Sequence, residues 1–136
     1  MMRMLMLVLL MVAVSAGPAP VLSGTADVVK QKTKAAAQQY MKSGNILAGE
    51  GKYKAAVKSY RQAISMDPTS AEAYSLLGSA LDQAGNLREA EEALRKSVSL
   101  KPNYAEGYYH LGVFLKAHGK KQEAEEAFRK AKQYRR

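Results

Sequence analysis

Apolar and small residues recur along most of this chain at the spacing of one helical face, and the pattern stops and restarts at regular intervals. Tyr74, Leu77, Gly78 and Leu81 fall at i, i+3, i+4 and i+7, which aligns them on one side of a helix. Ala90, Leu94 and Val98 form a second such stripe. Between the two stand Gly85 and Asn86, a glycine suited to the left-handed residue that ends a helix and a residue able to cap the next. The spacing predicts helix, turn, helix. Pro68 and Pro102 are placed to stop the preceding helices. Thr69 with Glu72, Asn86 with Glu89 and Asn103 with Glu106 have the spacing of capping boxes, so each is expected to open a helix.

The whole pattern returns every 34 residues. Gly44, Gly78 and Gly112 keep that step, as do Gly51, Gly85 and Gly119, and Ala56, Ala90 and Ala124. Larger side chains follow in phase at Tyr40, Tyr74 and Tyr108, at Leu47, Leu81 and Leu115, and at Tyr60, Leu94 and Phe128. A strict period of this length is the mark of stacked supersecondary units. The small residues are expected where two antiparallel helices cross, since a larger side chain there would hold the axes apart.

These small, aromatic and proline slots resemble the tetratricopeptide repeat family over residues 37–136, in three copies at 37–70, 71–104 and 105–136. The resemblance implies an all-α fold, a right-handed superhelix of three helix-turn-helix repeats, with residues 27–136 as one domain. Ser43 departs from the Leu77 and Leu111 of the other copies, so the first repeat is expected to pack less tightly.

Upstream, residues 1–16 hold one Arg, an apolar run from Met4 to Val14 and small residues at the end, the pattern of a secretory signal peptide cleaved after Ala16. The run is too short to span a bilayer as a permanent anchor. Left uncleaved, it would still tie the chain to a membrane. Residues 17–26 read as a Gly, Pro and Ser rich linker, with order expected near Asp27. Val28, Val29, Lys32, Ala36 and Tyr40 share a helical face, so the first repeat helix is expected to reach back toward Asp27 and shield the front of the stack.

Net charge is +9, divided as +1 at Arg3, +2 over residues 17–36, and +3, −1 and +4 over the three copies. The basic excess therefore lies at the ends. It suits an anionic partner or a solvated surface, but nucleic acid is not expected, because the tyrosines occupy core-type slots and do not interleave with the cations. The absence of Cys excludes disulfides and Cys-held metals. His110 and His118 lie about 80° apart around one helix, too far to chelate one ion. No nucleophile, phosphate-binding or dinucleotide motif appears, so neither enzyme activity nor a cofactor or metal is expected.

In the family it resembles, the first helix of each pair lines a concave groove that holds a partner. The matching slots here are Gln38, Met41, Asn45 and Ala48, then Glu72, Ser75, Ser79 and Asp82, then Glu106, Tyr109, Val113 and Lys116. One subclass grips C-terminal carboxylates with Lys, Asn and Arg. Of those slots only Asn45 matches, the others holding Met41, Leu76, Glu106 and His110. Glu72, Asp82 and Glu106 are expected to make mid-groove acidic, favouring an extended protein segment with Lys, Arg or polar groups and Tyr109 as apolar anchor. The function expected is thus an exported scaffold in the envelope or periplasm. The alternatives are a basic accessory protein attached electrostatically to anionic membrane or wall polymer, and an oligomerising structural protein. The polar last helix is expected to cap the stack by itself, leaving a monomer or weak homodimer.

Overall fold

A computed structural model of the chain describes residues 20–135, all six elements of which are helices. The expected signal segment, residues 1–16, and the first three linker residues lie outside the described residues. The helices are α1 (Pro20–Gly49), α2 (Tyr53–Met66), α3 (Ala71–Ala84), α4 (Leu87–Leu100), α5 (Ala105–Ala117) and α6 (Lys121–Tyr134). They pair as α1 with α2, α3 with α4 and α5 with α6, three helical hairpins stacked in chain order.

Each hairpin turns on a glycine. Gly51, Gly85 and Gly119 have φ of 76°, 89° and 80°, the left-handed region that L residues with a Cβ avoid. The residue after each glycine donates its N–H back to the carbonyl of Leu47, Leu81 or Leu115, at 2.9 Å in all three copies. The last carbonyls of each first helix are thereby satisfied before the chain reverses.

Each pair crosses at the glycine of its first helix. A Cβ placed on Gly44 would lie 2.5 Å from the Tyr60 ring, one on Gly78 the same distance from Leu94 Cγ, and one on Gly112 2.8 Å from the Phe128 ring. The large residue of the second helix therefore sits directly over a missing side chain. Ala56, Ala90 and Ala124 are buried beside it. Among the Gly, Ala and large slots, sequence phase alone brought the contacting partners together.

The cap sites differ from expectation. The N-cap of α3 is Ser70, whose Oγ accepts from the Ala73 N–H at 3.2 Å, while the N–H and hydroxyl of Thr69 both donate to Asp67 Oδ1. Asn86 stands at the α4 N-cap as expected but makes no side-chain capping bond, and the N-cap of α5 is Tyr104, one residue after Asn103. Each Pro-led turn consumes one residue more than the box spacing supposes. Glu72, Glu89 and Glu106 are consequently free to act elsewhere.

α1 begins at Pro20, so residues 20–26 of the expected linker are helical. Residues 24–32, including Val28 and Val29, are all exposed, so this stretch of about 13 Å projects from the stack and does not shield its front. Ser43 is exposed for a related reason: among the described residues no helix packs in front of α1, whereas Leu77 and Leu111 are each buried between neighbouring hairpins.

α3 packs beside both α1 and α5, but no backbone approach links α2 to α4 or α4 to α6 among the described residues. The stack is tight along its first helices and splayed along its second ones. It must curve, and the first helices line the concave side. Long side chains bridge the splayed side. Arg61 of α2 reaches Glu89 of α4 at 2.6 Å, and Arg95 of α4 reaches Glu123 of α6 at 2.7 Å, two ion pairs in the same slots one repeat apart. Glu91 adds a third link by accepting from Lys120 at 3.0 Å and from Arg95 on its own helix, and these cations hold its carboxyl below the usual range.

Candidate functional site

The concave wall is built from α1, α3 and α5, and its accessible surface differs along its length. Gln38 and Asn45 are exposed on α1, Glu72 on α3, and Glu106, Tyr109, Val113 and Lys116 on α5, with Ala48, Ser79 and Asp82 partly so. Met41 and Ser75 are not available: they are 8% and 1% exposed. Both occupy the fifth position of their helices' repeat register, which the following hairpin covers. Tyr109 is in the same slot of the last copy, where no described hairpin follows, and it is 45% exposed. The hydroxyl of Ser75 has no hydrogen-bond partner among the described residues, in keeping with a slot used for close approach.

Asn45, Ala48 and Ser79 do come together. With Tyr53, Tyr60 and Gln83 they line a pocket of about 240 Å³ at the seam between the first two hairpins. Asn45 is also held: its Oδ1 accepts from the Tyr60 hydroxyl at 2.7 Å, which fixes the amide and leaves its NH2 directed outward as donor. Burial raises the Tyr60 pKa and keeps that hydroxyl protonated.

The acidic residues do not form one mid-groove cluster. Glu72 and Glu106 stand in the first turns of α3 and α5, flanking Tyr104. Tyr104 donates to Glu106 Oε2 at 3.1 Å, and burial, Glu106 and, more weakly, Glu72 all push its pKa up. Neither carboxylate has a cationic partner among the described residues. Asp82 is ten residues further along α3, about 15 Å from Glu72, and its Oδ1 is 2.9 Å from His118 Nε2. The groove therefore has an uncompensated acidic rim at the start of its helices and a paired carboxylate at the other end.

His110 lies between α3 and α5, with Nδ1 3.2 Å from Ser79 Oγ. Burial lowers its pKa despite the pull of Glu106, so the ring is neutral near neutral pH. Sequence reasoning missed the role of His118, which caps α5 and ties the last turn to Asp82. It also missed the Arg61–Glu89 and Arg95–Glu123 pairs, whose shared separation of 28 residues is a signal visible only once the repeat and its hand are known.

A family profile described as tetratricopeptide repeat matches residues 71–104 and 105–136, and a second, described as TPR repeat, matches 44–85. The chain belongs to the tetratricopeptide repeat family. The crystal structure of MamA is similar, at 30% identity and a TM-score of 0.66, over 83% of this chain and 68% of that one. So is the second tetratricopeptide repeat domain of Spaghetti (RPAP3), solved bound to the HSP90 peptide SRMEEVD, at 24% identity and a TM-score of 0.68, covering 75% of this chain and 94% of that one. The domain of Arabidopsis OM64 shares the fold at 20% identity and a TM-score of 0.70, over 76% of this chain and 85% of that one. No curated protein matches the chain. Among the described residues, no helix is long and apolar enough to cross a membrane.

Proposed function

We propose that this chain is a non-enzymatic interaction module that holds an extended segment of a partner protein along α1, α3 and α5. The observation that carries the reading is the carboxylate rim of Glu72 and Glu106 on the concave wall, with no cationic partner among the described residues, together with the fixed Asn45 amide and exposed Tyr109. Solved relatives of this fold hold peptides, and that one of them holds an acidic tail, SRMEEVD, sharpens the contrast. Here the slots that would face such a tail are a buried Met41, Leu76, Glu106 and a neutral His110. An acidic C-terminus would meet repulsion. A Lys- or Arg-bearing segment would meet complementary charge.

Crosslinked capture from the envelope fraction, using the chain against its Glu72→Lys, Glu106→Lys variant, tests this. The captured partner should be lost with the variant and retained, within a few-fold, when salt rises to physiological strength. Equal capture by both proteins would remove the groove from the proposal, and complete release by salt would favour electrostatic attachment of the basic surface.

Export is part of the same proposal and rests on residues 1–16. The protein recovered from the cell envelope should begin at Gly17. Recovery only from the cytoplasm, with Met1 or Met2 at its start, would remove export from the reading.

A further inference from the structure

The seam between the first two hairpins holds an apolar pocket where the next seam holds a ring. The pocket, about 240 Å³, is walled by Ala48, Leu76, Ala80, Tyr53 and Tyr60, with the exposed Asn45 and Gln83 amides at its mouth. One repeat on, the slot of Ala80 belongs to Phe114, which is 3% exposed and has its ring centroid 4.4 Å from that of His118. Val113 likewise stands where the first seam has Ser79. Two small residues of α3 thus leave open the volume that Phe114 fills in the second seam. α1 also runs less closely beside α3 than α3 does beside α5. Both walls of the pocket are described hairpins, so its opening does not depend on what stands before α1 or after α6.

Given a partner segment in the groove, as proposed, we infer that this pocket receives an aromatic side chain of that segment, three residues from a Lys or Arg that meets Glu72. The ring follows from Phe114, whose slot the pocket repeats, and from the wall itself: an apolar lining takes an uncharged side chain, and the two tyrosine rings offer it faces and edges. The Asn45 amide, held by the Tyr60 hydroxyl, directs its NH2 outward at the mouth as a donor for a backbone carbonyl of the segment. The cation follows from charge. Glu72 has no cationic partner among the described residues, and it stands about 12 Å from Ala80 along α3, a span that three residues of extended chain and a lysine stem cover. Residues 1–19 and Arg136, outside the described residues, include no aromatic side chain, so they do not supply the ring.

The test titrates two end-capped peptides, GSKSGFSG and its reverse GSFGSKSG, into the isotope-labelled full chain and follows its NMR signals. At least one peptide should shift the side-chain amide signals of Asn45 and Gln83. Replacing its Phe by Ala should weaken binding about tenfold, the worth of burying one such side chain. Ala80→Phe, which copies the Phe114 slot into the first seam, should cost the Phe peptide the same factor and leave the Ala peptide unchanged. Should far-UV circular dichroism show that variant unfolded, Ala48→Leu fills the pocket from a partly exposed position of α1 and should act alike. The Glu72→Lys, Glu106→Lys chain should lose the contribution of the peptide's Lys and keep that of its Phe, so rim and pocket are read separately. No shift with either peptide, equal binding of the Phe and Ala peptides, or indifference to the filled pocket would each overturn the inference, and partner capture that still depends on Glu72 and Glu106 would then leave the groove standing. Contacts from the Leu76 and Ala80 methyls to residues 1–19 before any peptide is added would assign the pocket to the chain itself and overturn the inference too.

Discussion

Leu94→Ala is expected to lower unfolding free energy by about 2–5 kcal/mol, among the largest losses any single truncation should cause here. Leu94 is 1% exposed, and it fills the space over Gly78 at the crossing of α3 and α4. The cost follows from the inability of that crossing to close further. A Cβ on Gly78 would already stand 3.1 Å from the Ala90 carbonyl oxygen, so the helix backbones are near their limit and a cavity would persist. Urea denaturation read by circular dichroism measures the change, and the melting temperature should fall on the order of 10 °C. A loss below about 1 kcal/mol would mean that the crossing relaxes, contrary to the packing described.

Gly78→Val attacks the same crossing from the other helix and should cost about 3 kcal/mol, through forced separation of the axes. Its Cβ would lie 2.5 Å from Leu94 Cγ, a branch point that cannot swing aside as a side-chain tip could. Gly78→Ala gives the sharper comparison. An exposed helical glycine gains about 1 kcal/mol on becoming alanine, so a net loss at this position isolates the steric term. Combined with Leu94→Ala, the same Gly78→Ala change should cost less than the two losses added, since the new methyl enters the vacated volume. Strict additivity in that double-mutant cycle would show that the two residues do not meet.

How much of this was legible in the sequence depends on the range of the interaction that decides each feature. The left-handed turns at Gly51, Gly85 and Gly119 are local events, and the returning carbonyls of Leu47, Leu81 and Leu115 lie within five residues of their donors. The crossings at Gly44–Tyr60, Gly78–Leu94 and Gly112–Phe128 join residues 16 apart in every copy, so a fixed period exposes them. Asn86 does occupy the α4 N-cap, but the α3 cap falls one residue beyond Thr69, because Ser70 and Thr69 are equally good capping residues and the course of the turn after Pro68 chooses between them.

Phase along a helix was therefore written in the chain itself, as were the turns, the pairing of helices and the small-residue crossings, because each rests on contacts within a single 34-residue unit. Accessibility was decided only by the stack. Met41, Ser75 and Tyr109 occupy one slot of the repeat, yet the first two are covered by a following hairpin and the third is not. The separation of Asp82 from the Glu72 and Glu106 rim, and the Arg61 and Arg95 bridges, likewise depend on how one unit is set against the next. That rotation arises from many weak contacts between units, so no single position in the repeat encodes it.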